Sequence, residues 1–120
     1  MNVVLRSFKN SCDGLRVAWR EDRSFRRSLL QVLVAILVAF GLYVGKQISI
    51  FSWLFLVGAV MPILIVETIN SAIEAVTDKA SPERSKLAKK AKDIGSAAVL
   101  LTRIYAVICW ATVLFVAHDW

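Results

Sequence analysis

Residues 48–66, ISIFSWLFLVGAVMPILIV, are nineteen in a row without a charge, and the next residue is Glu67. A helix rises about 1.5 Å per residue, so such a run nearly matches the ~30 Å of hydrocarbon in a bilayer. Two other stretches have the same character: 29–44 is interrupted only by Gln31, and 94–117 carries one charge, Arg103. The pattern predicts an all-α integral membrane protein with three transmembrane helices, at about 29–44, 48–66 and 94–117, in a single domain covering 1–120.

Composition points the same way. The chain has 120 residues, is 58% hydrophobic with mean hydropathy +0.62, and still carries a net charge of +6. A soluble domain of this size has too little interior for that much apolar surface. A basic balance can signal nucleic acid, but here Lys and Arg alternate with long uncharged stretches, and no nucleic-acid partner is expected. Seven of the fifteen basic residues precede the first span and six lie between the second and third, against Lys46 alone in the first turn. The positive-inside rule then predicts a cytoplasmic N-terminus and second loop, with the first turn and the C-terminus outward. No removable signal peptide is expected, because no apolar core precedes a small-residue cleavage site. Cys12 and Cys109 fall in different environments without metal-ligand spacing, so no disulfide is expected.

Before the first span, Val4, Phe8, Cys12, Leu15 and Trp19 recur at helical spacing, with Arg6, Lys9, Asp13, Arg16 and Arg20 on other faces. This predicts an N-terminal amphipathic surface helix over about 3–26, its apolar side in the headgroup layer. The alternative is a helix packed on the protein's own cytoplasmic end. Gly41 and Gly45 close the first span, Lys46-Gln47 makes the turn, and Pro62 stands inside the second span as a possible kink. Helix is expected to continue past Val66 to Asp78 and to break at Ala80-Ser81-Pro82. Gly95, Ser96, Ala97 and Ala98 then offer a small-residue face for close packing.

The chemistry concentrates in residues 67–78, ETINSAIEAVTD. Glu67, Asn70, Glu74 and Asp78 follow i, i+3, i+7, i+11 and share one helical stripe. A solvated acidic face accounts for Asp78. It accounts poorly for Glu67, which directly follows the uncharged run, and carboxylates at the edge of the hydrocarbon usually have a task. Phosphoryl transfer needs metal-held phosphates, positive charge and an oriented acceptor. Mg²⁺ takes one or two carboxylates with phosphate oxygens and water, and a carboxylate at the interface can accept the proton of a lipid hydroxyl. Two acids at different depths, an amide between them, and Lys92-Asp93 at the mouth of the next helix supply those parts. The five glycines form no phosphate-binding loop.

Val66-Glu67, Asn70 to Val76 and Asp78, with Ala91 to Val99 (AKDIGSAAV) and the stretch Gly14-Leu15-Arg16, Ala18-Trp19 and Phe25-Arg26, resemble the bacterial diacylglycerol kinase family over nearly the whole chain. The resemblance implies a homotrimer of three-span subunits with composite sites, and phosphorylation of diacylglycerol to phosphatidic acid by ATP with Mg²⁺, in the bacterial inner membrane. It places the catalytic base on Glu67 and metal ligands on Glu74 and Asp22, both also touching nucleotide. It places further nucleotide contacts on Glu83, Arg84, Ser85, Lys92 and Asp93, and lipid-substrate contacts on Glu67, Asn70, Ser96 and Trp110.

The chain departs from the family pattern in three places. Asp22 stands where glutamate is usual, with Glu21 beside it as the alternative ligand. An early arginine is replaced by Val3, leaving Arg6 or Lys9 to serve. Arg103 lies about 16 Å into the third helix, where an unpaired cation costs roughly 3 kcal/mol or more, so it is expected to snorkel or to find a partner. Two other functions compete. An undecaprenol kinase would share size and architecture, although Gly95-Ser96-Ala97-Ala98 after Lys92-Asp93 resembles the diacylglycerol branch. A small proton-coupled transporter would use Glu67 as its coupling acid but needs an outward water path, whereas the acidic stripe faces one side only.

Overall fold

The computed structural model describes residues 2–83 and 85–116. Among the described residues four α-helices follow one another: α1 (Val3–Glu21), α2 (Arg23–Val44), α3 (Ile50–Ala80) and α4 (Lys86–Ala111), with α4 passing into a π-helical turn at Thr112–Val116. Three helices, α2, α3 and α4 with its π turn, are long and apolar enough to cross a membrane. The expected all-α, three-span architecture is therefore present.

Boundaries differ in instructive ways. The surface helix expected to reach residue 26 ends at Glu21, because Asp22 is extended (φ −109°, ψ 110°) and separates α1 from α2. Residues 23–28 thus begin the first spanning helix rather than leading up to it. The basic stretch before the third span is helical from Lys86, since Ser85 caps it by accepting a bond from Ala88 N at 3.0 Å. α3 runs through Pro62 unbroken and ends at Ala80, where the breaker was expected. At the turn between α2 and α3, Gln47 N bonds back to Leu42 O and Lys46 N to Tyr43 O, the double bond of a Schellman end. The left-handed position falls on Lys46 (φ 60°), not on Gly45 (φ −74°).

What packs these helices is a repeat in the interior. On α3 Leu56, Val60, Ile63, Glu67 and Asn70 are buried and spaced four, three, four and three apart, with Ala59 buried beside that line. On α4 Ala88, Gly95, Val99, Ala106, Cys109 and Val113 fall on one such seam, and on α2 Phe25, Ser28, Val32 and Ala39 do the same. A 3.5-residue repeat keeps one line of each helix facing its neighbour, and the small residues on α4 let the backbones approach closely. α3 lies against both α2 and α4. Val32, Val60, Ile63 and Ala106 form one apolar cluster, and Ala39, Leu56 and Val113 a second, nearer the Lys46 turn. Trp110 joins the two, its indole N–H donating to Leu56 O at 3.2 Å.

Outside this seam the apolar side chains are left uncovered, among them Leu37, Phe51, Leu54, Leu101 and Val107, each more than half exposed. α1 has the same character. Val4, Phe8, Leu15 and Trp19 are exposed and only Ala18 is buried, so within one chain α1 meets the rest near its C-terminal end. Among the described residues the expected apolar stripe on α1 is left exposed.

Candidate active site

The stripe read from the sequence is the packing seam of α3 carried on towards the end bearing the α3–α4 loop. Glu67 and Asn70 are buried (5% and 6% exposed), Glu74 is half-buried and Asp78 is exposed. The stripe thus grades from interior to surface.

Glu67 is held by the neighbouring spanning helix. Ser28 Oγ on α2 donates to Glu67 Oε2 at 3.1 Å and accepts from Arg103 Nη2 on α4 at 2.8 Å. Arg103 Nη1 also donates to Gln31 Oε1 at 2.7 Å. Arg103 therefore finds partners inside its own chain: an amide oxygen and a hydroxyl, with the nearest carboxylate one hydroxyl further on. The register that sets Gly95 beside Asn70 and Trp110 beside Leu56 places Arg103 opposite the Pro62–Ile63 level of α3. That is a little over one turn beyond Glu67, and the arginine reaches back, since helical side chains lean toward the N-terminus.

Asn70 links the seam to the outer acids. Its Nδ2 donates to Glu74 Oε1 at 3.3 Å, while its buried Oδ1 has no conventional donor among the described residues. A Cβ on Gly95 would run into that oxygen. Glycine is required here for the close approach, since any other residue would place its Cβ against Oδ1.

Beyond Glu74 lies an open cleft of about 560 Å³ between the ends of α3 and α4, lined by residues that include Asp78, Ser85, Lys86, Lys89, Lys92 and Asp93. Lys92 Nζ pairs with Asp78 at 2.5 Å and Lys89 Nζ with Asp93 at 2.6 Å. Of the expected nucleotide contacts, the structure brings Ser85, Lys92 and Asp93 to this cleft. The Ser85 hydroxyl already caps α4. Glu83 is exposed just before it, and Arg84 lies outside the described residues. Ser96 is exposed on α4. Trp110 sits at the Leu56 level, about 16 Å along α3 from Glu67 at helical rise, so it is not beside the acid.

Two carboxylates, Asp22 and Glu74, are the candidates for a metal. Asp22 stands at the N-cap of α2 yet makes no side-chain capping bond, and Glu74 spends one oxygen on Asn70. Both keep oxygen free. Among the described residues no three His, Cys, Asp or Glu side chains cluster tightly enough to hold an ion by themselves. That suits Mg²⁺, which usually takes one or two carboxylates and completes its shell with phosphate oxygens and water.

Sequence reading overlooked Ser28, Gln31, Lys86 and Lys89. The first two carried a signal: polar residues three apart on one helical face, beside or inside an apolar run, facing a chain whose third span holds a lone arginine. Polar groups at that depth seek one another.

Comparison with known proteins adds the family. The profile described as prokaryotic diacylglycerol kinase matches residues 9–114. The chain belongs to this family. It is 39% identical over 112 residues to diacylglycerol kinase of Escherichia coli (strain K12), covering 93% of this chain and 88% of that protein. It is 38% identical over 111 residues to the Pseudomonas aeruginosa diacylglycerol kinase (92% and 87% covered), and 36% over 108 residues to that of Helicobacter pylori strain 26695 (90% and 81%). The resemblance read from residues 66–78 and 91–99 is thus borne out, and the chain is a membrane-embedded lipid kinase of the diacylglycerol kinase class.

Proposed function

We propose that the protein phosphorylates diacylglycerol to phosphatidic acid with ATP and Mg²⁺ at the cytoplasmic face of the bacterial inner membrane. The N-terminus lies in the cytoplasm, the C-terminus lies outward, and the active form is a homotrimer. One observation carries the reading: a buried carboxylate, Glu67, stands on the same helical stripe as a half-buried acid and a lysine-lined cleft. A lipid alcohol entering from the hydrocarbon and a nucleotide entering from water can meet there.

The roles follow from depth. Glu67 accepts the proton of the lipid hydroxyl, which is general-base work for a group within hydrogen-bond reach. Asn70 orients the acceptor or a phosphate, and its bond to Glu74 fixes the acid above it. Glu74 and Asp22 would hold Mg²⁺, which neutralises the triphosphate and spreads the charge that develops on transfer. Asp22 is preferred to Glu21 because it holds the position where the family resemblance places the acid, at the break between α1 and α2. Lys92 exchanges Asp78 for a phosphate, Asp93 and Ser85 border the same cleft, and Glu83 and Arg84 flank it in sequence. Ser96, exposed on α4, and Trp110, at the Leu56 level, would supply the lipid contacts, Trp110 at acyl rather than glycerol depth. Among the described residues no three carboxylates gather to hold the ion by themselves, which is in keeping with a shell completed by phosphate oxygens and by a second copy of the chain.

The deciding experiment incubates purified protein with labelled ATP and Mg²⁺ and with diacylglycerol and undecaprenol in competition. Label is expected in phosphatidic acid. Predominant labelling of undecaprenol would move the protein to the polyprenol branch, and no labelled lipid at all would overturn the kinase reading. Glu74→Gln is expected to raise the Mg²⁺ concentration needed for half-maximal rate by about tenfold, the usual scale for loss of one ligand or its close support. An unchanged Mg²⁺ dependence would remove Glu74 from the metal site.

A further inference from the structure

We infer that Arg103, acting through the Ser28 hydroxyl, is a positioning residue for the Glu67 carboxylate. The inference rests on the proposed role of Glu67 as base. Its ground is a chain of two hydrogen bonds whose direction is fixed. A guanidinium has donors and no acceptor, so Arg103 Nη2 must donate to Ser28 Oγ, at 2.8 Å. A serine has one proton, and here it is spent on Glu67 Oε2 at 3.1 Å. The order cation, hydroxyl, carboxylate is charge-assisted at both ends, which makes each bond stronger than a neutral one. Among the described residues this is the one side-chain network that joins all three spanning helices.

The network anchors one oxygen of Glu67 and leaves the other for a substrate proton. Among the described residues no side chain bonds Oε1, so the carboxylate is tethered at Oε2 and open at Oε1. The position of a base decides its rate, since a small misplacement at the reacting atoms carries a large penalty. Arg103 is held in turn by Gln31 Oε1 at 2.7 Å, so its guanidinium plane is fixed at two points. The lone cation of the third span thereby acquires a task. It aims Ser28, which aims the acid.

The test compares Ser28→Ala, Arg103→Leu, the double variant and Arg103→Lys with the parent, at saturating diacylglycerol and Mg²⁺. Glu67→Gln runs alongside. Each single loss is expected to lower kcat by about tenfold, while KM for ATP stays within about twofold, because the nucleotide cleft is untouched. The double variant should be no slower than the slower single by more than about twofold, since both changes break one chain. Arg103→Lys should recover most of the lost kcat, a lysine keeping the charge and one donor. A network that merely ties the helices would lower the melting temperature and leave kcat unchanged. That result, or singles whose effects multiply, would overturn the inference. If Arg103→Leu fails to fold, the Ser28→Ala and Arg103→Lys kcat values decide alone. Full turnover in Glu67→Gln would instead sink the base assignment, so the two failures are distinguishable.

Discussion

Glu67→Gln is expected to bind ATP as the parent does and to lose phosphoryl transfer by about a hundredfold or more. Glutamine has the shape of glutamate and can still accept from Ser28 Oγ through its amide oxygen, so the packing of the seam survives. What disappears is the basic oxygen that receives the hydroxyl proton, and general-base contributions are typically about 10²–10⁴ in rate. Glu67 is not among the residues lining the cleft at Lys92 and Asp93, so nucleotide affinity should stay within about twofold. The measurements are labelled lipid product per unit time and equilibrium binding of an ATP analogue. Near-normal turnover would show that another group takes the proton.

Gly95→Ala is expected to have the second largest effect, and through a different route. A Cβ at this position meets Asn70 Oδ1 on α3. That oxygen is buried in the seam, so the new methyl group must push Asn70 aside or force α3 and α4 apart. Overpacking of this kind costs about 1–3 kcal/mol. Displacing Asn70 also breaks its bond to Glu74. Activity should therefore fall by about tenfold or more beyond what lost folding explains, with a raised Mg²⁺ requirement that resembles Glu74→Gln. Thermal melting in detergent, together with a Mg²⁺ titration of the folded fraction, checks both parts. If Gly95→Ala melts lower but its folded fraction works at the usual Mg²⁺ level, the contact with Asn70 matters for packing alone.

How much of this could be read from the chain depends on which interaction decides each feature. The spans at 29–44, 48–66 and 94–117 were legible because hydrocarbon thickness imposes a length and an absence of charge, both local properties. The break near Pro82 was legible for the same reason, since proline and serine act on their immediate neighbours. The end of α1 at Glu21 was not legible. Asp22 breaks the helix without a proline or glycine, and the change of direction belongs to packing rather than propensity. At the site, the shared stripe of Glu67, Asn70, Glu74 and Asp78 followed from helical periodicity. That Glu67 would lie deeper than Asp78 followed from their distance to the apolar run, whereas the burial of Asn70 comes from the close approach of α4 at Gly95. The partnership of Ser28, Gln31 and Arg103 spans 72 and 75 residues of sequence. No local rule sets that register, and only the antiparallel alignment of α2, α3 and α4 brings the three together. Lys92 pairing with Asp78 is of the same kind.

The seam on α3 also works as an index. Each residue of an α-helix advances the face by about 100°, so one residue gained or lost between Ile63 and Glu67 would leave the length of the span almost unaltered while swinging the acid out of the bundle toward lipid. Tolerance in this stretch therefore belongs to side-chain identity at the outward positions, such as Ile65, and never to spacing. A one-residue insertion or deletion between Leu56 and Asn70 would therefore disturb the site as surely as loss of the acid itself, whereas an apolar exchange at an outward position would leave the register of the seam intact.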